Sequence, residues 1–157
     1  MQDIPTEKLF LESLNDALQR CEAATKKFSY ESGEKLPATV KNVGTLLSLI
    51  YRTSCCYWGC RGGDHQIEWL AGRITNQSVA AIKLIGIASY DESLMLIRGI
   101  GEISNLLHLF NSDAAKFEQW KKCTRKERLR NFSPVAVRIA LEKYELAPVT
   151  IDQARYE

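Results

Sequence analysis

The residues best suited to chemistry lie in two polar strips. His65, Glu68, Gly72 and Asn76 recur at steps of three and four, so they share one face of a helix. Asp91, Arg98, Glu102, Asn105 and His108 form a second strip on the following apolar segment. If the two helices lie antiparallel at the centre of a bundle, the strips meet as a cleft holding imidazoles, carboxylates and guanidinium groups. Such a cleft suits general acid-base work or anion binding. The candidate catalytic set is His65, Arg98 and Glu102. In such a cleft an imidazole would accept or donate a proton, and Arg98 would stabilise an anion. The structural alternative is an ordinary network, because Arg98 and Glu102 are four apart and can pair along one helix.

Cys55, Cys56, Cys60 and His65 are metal-ligand types crowded into eleven positions. Neither a C-x-x-C pair nor a second half-site accompanies them, so the reading is of small core residues beneath a loop, with no metal and no cofactor. Lys121, Lys122, Arg125, Lys126, Arg128 and Arg130 crowd six cations into ten residues, opposed only by Glu127. That density can neutralise phosphates, and the flanking Trp120 and Phe132 could stack on bases, which makes RNA a candidate partner. No phosphate-binding glycine loop, nucleophile elbow or zincin motif occurs. Gly99 and Gly101 fall inside a helical pattern, where close helix packing explains them.

These side chains must be positioned by helices. Leu9, Phe10, Leu14, Ala17, Leu18 and Cys21 give a helix over about 6–28, entered after Thr6, and Ser29 to Pro37 reads as a loop. A second helix covers about 37–52. The cysteine-rich stretch 53–64 is a tight connection. Asp64 is placed to cap a third helix reaching about Ala88, and after a short break at 89–91 a strongly apolar fourth runs to about Asn111. Asp113 caps a fifth through Trp120, and Ser133-Pro134 starts a sixth that reaches Leu146. Residues 150–157 read as the opening of a seventh. With strand patterns nearly absent, the expectation is all-α, a single-domain bundle of six to seven helices over 1–157.

The 157 residues carry 45% hydrophobic and 25% charged side chains at a formal net charge of +2. Those values exclude collagen-like and disordered classes, and the small net charge by itself favours neither nucleic acid nor membrane. No secretory signal and no stretch of about 18 uncharged apolar residues is found, so a cytoplasmic protein with no membrane partner is expected. Five cysteines, an odd number, fit free thiols in a reducing compartment.

The run from Trp58 through Gly59-Cys60-Arg61-Gly62-Gly63-Asp64 to His65, the segment Tyr90 to Ile103, Arg125-Lys126-Glu127-Arg128-Leu129 and Phe132-Ser133-Pro134 together resemble a family of uncharacterised bacterial helical proteins over roughly 55–156. More distantly the chain resembles the HEPN helical bundles. The HEPN resemblance implies dimers and, in some members, metal-independent RNA cleavage in toxin or phage-defence systems. The HEPN catalytic motif is an Arg followed a few residues later by a His. Here Arg61 and His65 stand too close for that motif, and Arg98 and His108 too far apart. The closer resemblance also implies a further C-terminal helix with a His-containing segment after Tyr156, which this chain lacks. An apolar groove left open by that lack would be covered by another chain, so the leading expectation is a protein acting through homo-oligomer formation or a protein partner. An HEPN-like ribonuclease or RNA-binding protein is the alternative.

Overall fold

The computed structural model describes residues 7–57, 59–60 and 63–144. Seven helices and no strand are found among them: α1 (Glu7–Glu31), α2 (Lys35–Ser54), α3 (Gln66–Gly86), α4 (Tyr90–Ser112), α5 (Ala114–Lys122), α6 (Arg125–Asn131) and α7 (Pro134–Lys143). The fold is all-α.

The antiparallel pair α3 and α4 forms the centre. A Schellman turn reverses the chain between them: Ser89 N–H donates to the Leu84 carbonyl at 2.9 Å, and Ala88 N–H to that of Ile85 at 3.0 Å. Ala88 holds the left-handed position at φ 60°, where glycine is the usual occupant. The register is fixed further along, where the buried Ser93 hydroxyl donates to the Ala81 carbonyl at 3.2 Å. Gly99 then lies opposite Gln77, and a Cβ at Gly99 would come within 3.1 Å of that side-chain amide. Close helix packing is therefore the role of Gly99.

Leu70 and Ile74 of α3 meet Ile103 and Phe110 of α4 and Trp120 of α5 in the main core. A second cluster, Leu109 with Val137 and Leu141, docks α7 onto α4. By contrast α1 and α2 bury no residue fully.

Local signals place most boundaries. The Asp113 carboxylate accepts from Ala115 N–H at 2.9 Å and Lys116 N–H at 3.3 Å, and Ser133 accepts from Ala136 N–H with Pro134 in the first turn. Three expectations shift. The stretch 29–31 expected as loop continues α1, and Pro37 sits in the first turn of α2, where it forfeits no helical bond. Asp64 accepts from Gln66 N–H at 3.3 Å, but His65 holds the position before α3. The basic stretch after Trp120 is largely helical: α6 is opened by a capping box in which Thr124 Oγ1 accepts from Glu127 N–H while Glu127 accepts from Thr124 N–H. The expected helix end at Leu146 and the seventh helix at 150–157 lie outside the described residues, as does Thr6.

Asp113 also accepts a 2.7 Å hydrogen bond from the Tyr144 hydroxyl, tying the end of α7 to the start of α5. That hydroxyl holds the Asp113 carboxyl below its ordinary range against the opposing effect of burial, and the Lys116 and Ala115 amides lower it further. A carboxyl lowered in the folded state contributes stability that is complete above the ordinary carboxylate range and is lost as pH falls through and below it. Thermal unfolding from pH 7 down to about pH 3 should therefore show a Tm deficit of roughly 2–4 °C in Asp113→Ala at neutral pH that shrinks towards the acid end. A deficit independent of pH would assign the loss to packing instead.

Candidate functional site

Between the C-terminal end of α2 and the start of α3 lies an open cleft of about 470 Å³, lined by Tyr51, Ser54, Cys56, His65, Glu68, Trp69, Gly72, Arg73, Thr75 and Asn76. The whole third-helix strip, His65 with Glu68, Gly72 and Asn76, thus lines one cavity. Its opposing wall differs from the expected one. The side of α3 that meets α4 is occupied by Leu70, Ile74, Gln77 and Ala81, so the polar strip faces α2 and the cysteine loop.

The same register separates the expected catalytic set. Arg98 lies at the level of Gln77, twelve residues from His65, which is about 18 Å along a helix axis at 1.5 Å per residue. Arg98 and Glu102 are exposed on α4, while Asn105 of their strip is buried in the core. The structure therefore does not bring His65 together with Arg98.

What it does gather around His65 is sulfur. Cys56 Sγ lies 3.6 Å from His65 Nδ1, and Cys60 Sγ lies 3.6 Å from Nε2. Glu68 Oε1, one turn into α3, is 4.0 Å from Nδ1. The reading of these cysteines as core residues beneath a loop is overturned, since Cys55 and Cys60 are exposed and Cys56 is half-buried. Burial, then the neighbouring Cys60 and Glu68, push the Cys56 thiol above its ordinary range. A thiol held protonated is a poor nucleophile, which argues against a Cys-His hydrolytic pair here.

The backbone is shaped for this cluster. Cys56 and His65 both adopt left-handed conformations, φ 50° and 51°, and Gly59 and Gly63 provide further positive φ angles between them. Such conformations in residues with a Cβ cost of order 1–2 kcal/mol each and persist where surrounding structure enforces them. One restraint is visible. Asp64 Oδ2 lies 3.5 Å from Lys121 Nζ, which also meets Glu118 at 2.6 Å, so the residue preceding His65 is pinned to α5.

The six cations proposed for nucleic acid divide unequally. Lys121 is engaged as described. Arg128 is half-buried, stacked over Trp120 at 4.2 Å and donating to the carbonyls of Trp120 and Lys121 at 3.0 and 3.3 Å. Lys122, Arg125, Lys126 and Arg130 remain exposed. The flanking aromatics are unavailable for stacking on bases, because Trp120 is 5% exposed and Phe132 packs against both core clusters.

Cys56, Cys60 and His65 stand out in the sequence as metal-ligand types, but their C-x-x-x-C spacing followed by an x4-H step matches no paired half-site, so their approach to one another is not legible from it. The run of glycines between the ligands was the available signal, since it marks a loop able to turn back on itself. No protein-family model matches the chain, and neither a curated protein nor a solved structure does.

Proposed function

We propose that the protein acts through self-association, with α1 as the contact and a second copy of the chain as the partner. One observation carries this reading. Leu11, Leu14, Leu18, Cys21, Thr25 and Phe28 follow steps of three and four, the seam of a paired helix, and its four large apolar side chains are 40–66% exposed. Thr25 alone turns partly inward, its hydroxyl 3.0 Å from that of Tyr90. A continuous apolar seam of this length marks an interaction surface, and Leu9 and Phe10 extend the exposed apolar area of α1 beside it, while other large apolar side chains such as Leu46, Met95 and Leu129 are exposed elsewhere.

The charges favour an antiparallel pairing. Glu7, Glu12 and Asp16 outweigh Lys8 in the first half of α1, and Arg20, Lys26 and Lys27 outweigh Glu22 and Glu31 in the second, where Lys26 pairs with Glu22 and Lys27 with Glu31. A two-fold axis near the middle of the helix sets each half against its opposite, the isologous arrangement of most homodimers. The HEPN-like resemblance implies dimers as well.

Light scattering at micromolar concentration tests the reading. The protein should run at twice the chain mass, and the pair Leu14→Lys and Leu18→Lys should return it to chain mass with its helical circular dichroism intact. Since neither leucine is part of the core, folding should survive. Chain mass in the unmodified protein, or an unchanged dimer in the variant, would sink it.

A further inference from the structure

We infer that Cys56, Cys60 and His65, with Glu68 beside them, form a binding site for a borderline-soft divalent cation of the zinc class. This does not depend on the α1 seam. The three ligand atoms, one from each of Cys56, Cys60 and His65, lie within 4.8 Å of one another. In a tetrahedral site with Zn–S near 2.3 Å and Zn–N near 2.0 Å, neighbouring sulfur and nitrogen ligands stand about 3.5 Å apart. The 3.6 Å separation of Cys56 Sγ from His65 Nδ1 is that edge, while Cys60 Sγ stands 3.6 Å from the other ring nitrogen, Nε2, so Cys60 must swing towards the Nδ1 side to share an ion held there.

The donor set selects the metal. Two thiols and an imidazole favour zinc, cobalt and their neighbours over magnesium or calcium, which require oxygen ligands. Glu68 completes the arrangement at 4.0 Å from Nδ1, near enough to fill the fourth position by a rotamer adjustment. Binding exchanges the two thiol protons for the metal, and the dication offsets two of the three negative charges of two thiolates and a carboxylate, leaving one net negative charge on the cluster. The ion would clip the end of α2 to the start of α3 across the connection of residues 55–65. The left-handed backbone at Cys56 and His65 accompanies the approach of the Cys56 thiol to the imidazole.

The alternatives for this cluster are a Cys56–Cys60 disulfide and thiols without a ligand. Titrating Co²⁺ into the reduced, metal-free full chain tests metal binding against thiols without a ligand, and alkylation of the unreduced, metal-free chain tests the disulfide, in which Cys56 and Cys60 would not react. One equivalent should give the intense visible bands of four-coordinate Co²⁺ together with a thiolate charge-transfer band, and Zn²⁺ should bleach both. Cys56→Ser and Cys60→Ser should each weaken Co²⁺ binding by at least roughly 100-fold, Glu68→Gln by roughly 10–100-fold, and Cys21→Ser should leave it unchanged. Alkylation of the unmodified protein followed by mass spectrometry guards against variants that fail to fold. Zn²⁺ should protect Cys56 and Cys60 while leaving the reactivity of Cys21 the same as without Zn²⁺. A featureless Co²⁺ titration, a spectrum that survives loss of both cysteines, or equal alkylation with and without Zn²⁺ would overturn the proposal.

Discussion

Trp120→Ala should lower the unfolding free energy by about 3–5 kcal/mol, the range for removing a buried aromatic from a packed core. For a domain of this size that is a fall in Tm of about 10 °C. The indole is 5% exposed and joins three helices. Its ring centroid lies 5.5 Å from that of Phe110 on α4 and 6.4 Å from that of Phe117 on α5, and the Arg128 guanidinium of α6 covers it at 4.2 Å. Removing the ring leaves a void among Phe110, Phe117 and Arg128 that the short α5 cannot close without leaving α4. Arg128 would lose its cation–π contact, yet keep a route to the carbonyls of Trp120 and Lys121. Trp120→Phe should retain most of the apolar contact and cost less than half as much. Urea unfolding of both variants checks the pair. A loss below about 1 kcal/mol in Trp120→Ala would mean that α5 is held by other contacts, because surface substitutions stay near that level.

Helix positions were legible where local chemistry and periodicity agree. Asp113 and Ser133-Pro134 announce their helices because each satisfies free amides with its own side chain, a decision made within a few residues. The Thr124 capping box obeys the same rule, and T-x-x-E was available as a signal. Which helix faces which was less legible. The strip from His65 to Asn76 was expected to line a cleft against α4 and lines one against α2 instead, because a strip on one helix carries no record of its neighbour. The answer depended on Leu70, Ile74 and Gln77 claiming the α4 side. The loop was the least legible part. Its cysteines are brought to His65 by left-handed backbone at Cys56 and His65 and by the Asp64–Lys121 ion pair, which joins residues 57 positions apart. Nothing in a local pattern encodes that pair.

Leu141→Ala should cost about 2–5 kcal/mol, and where the protein loosens is the more informative part. Leu141 has no exposed surface, and its cluster with Leu109 and Val137 is the main apolar attachment of α7 to α4. A ten-residue helix is marginal by itself, so α7 depends on that attachment. The gap left by alanine can be relieved in two ways: the core around Leu106 and Phe132 collapses, or α7 undocks. Undocking would also break the Tyr144–Asp113 hydrogen bond and weaken the cap of α5. Because α3 and α4 carry their own core, they should remain folded while α7 opens. Amide exchange should therefore rise first over residues 134–143, then at the start of α5, with α3 and α4 last. Ile139→Ala provides the control. That side chain is on the same helix but 49% exposed, so it should cost well under half as much. Equal losses from the two substitutions, or uniform exchange across α4 and α7, would mean that α7 is held by its full surface and unfolds only with the rest of the bundle.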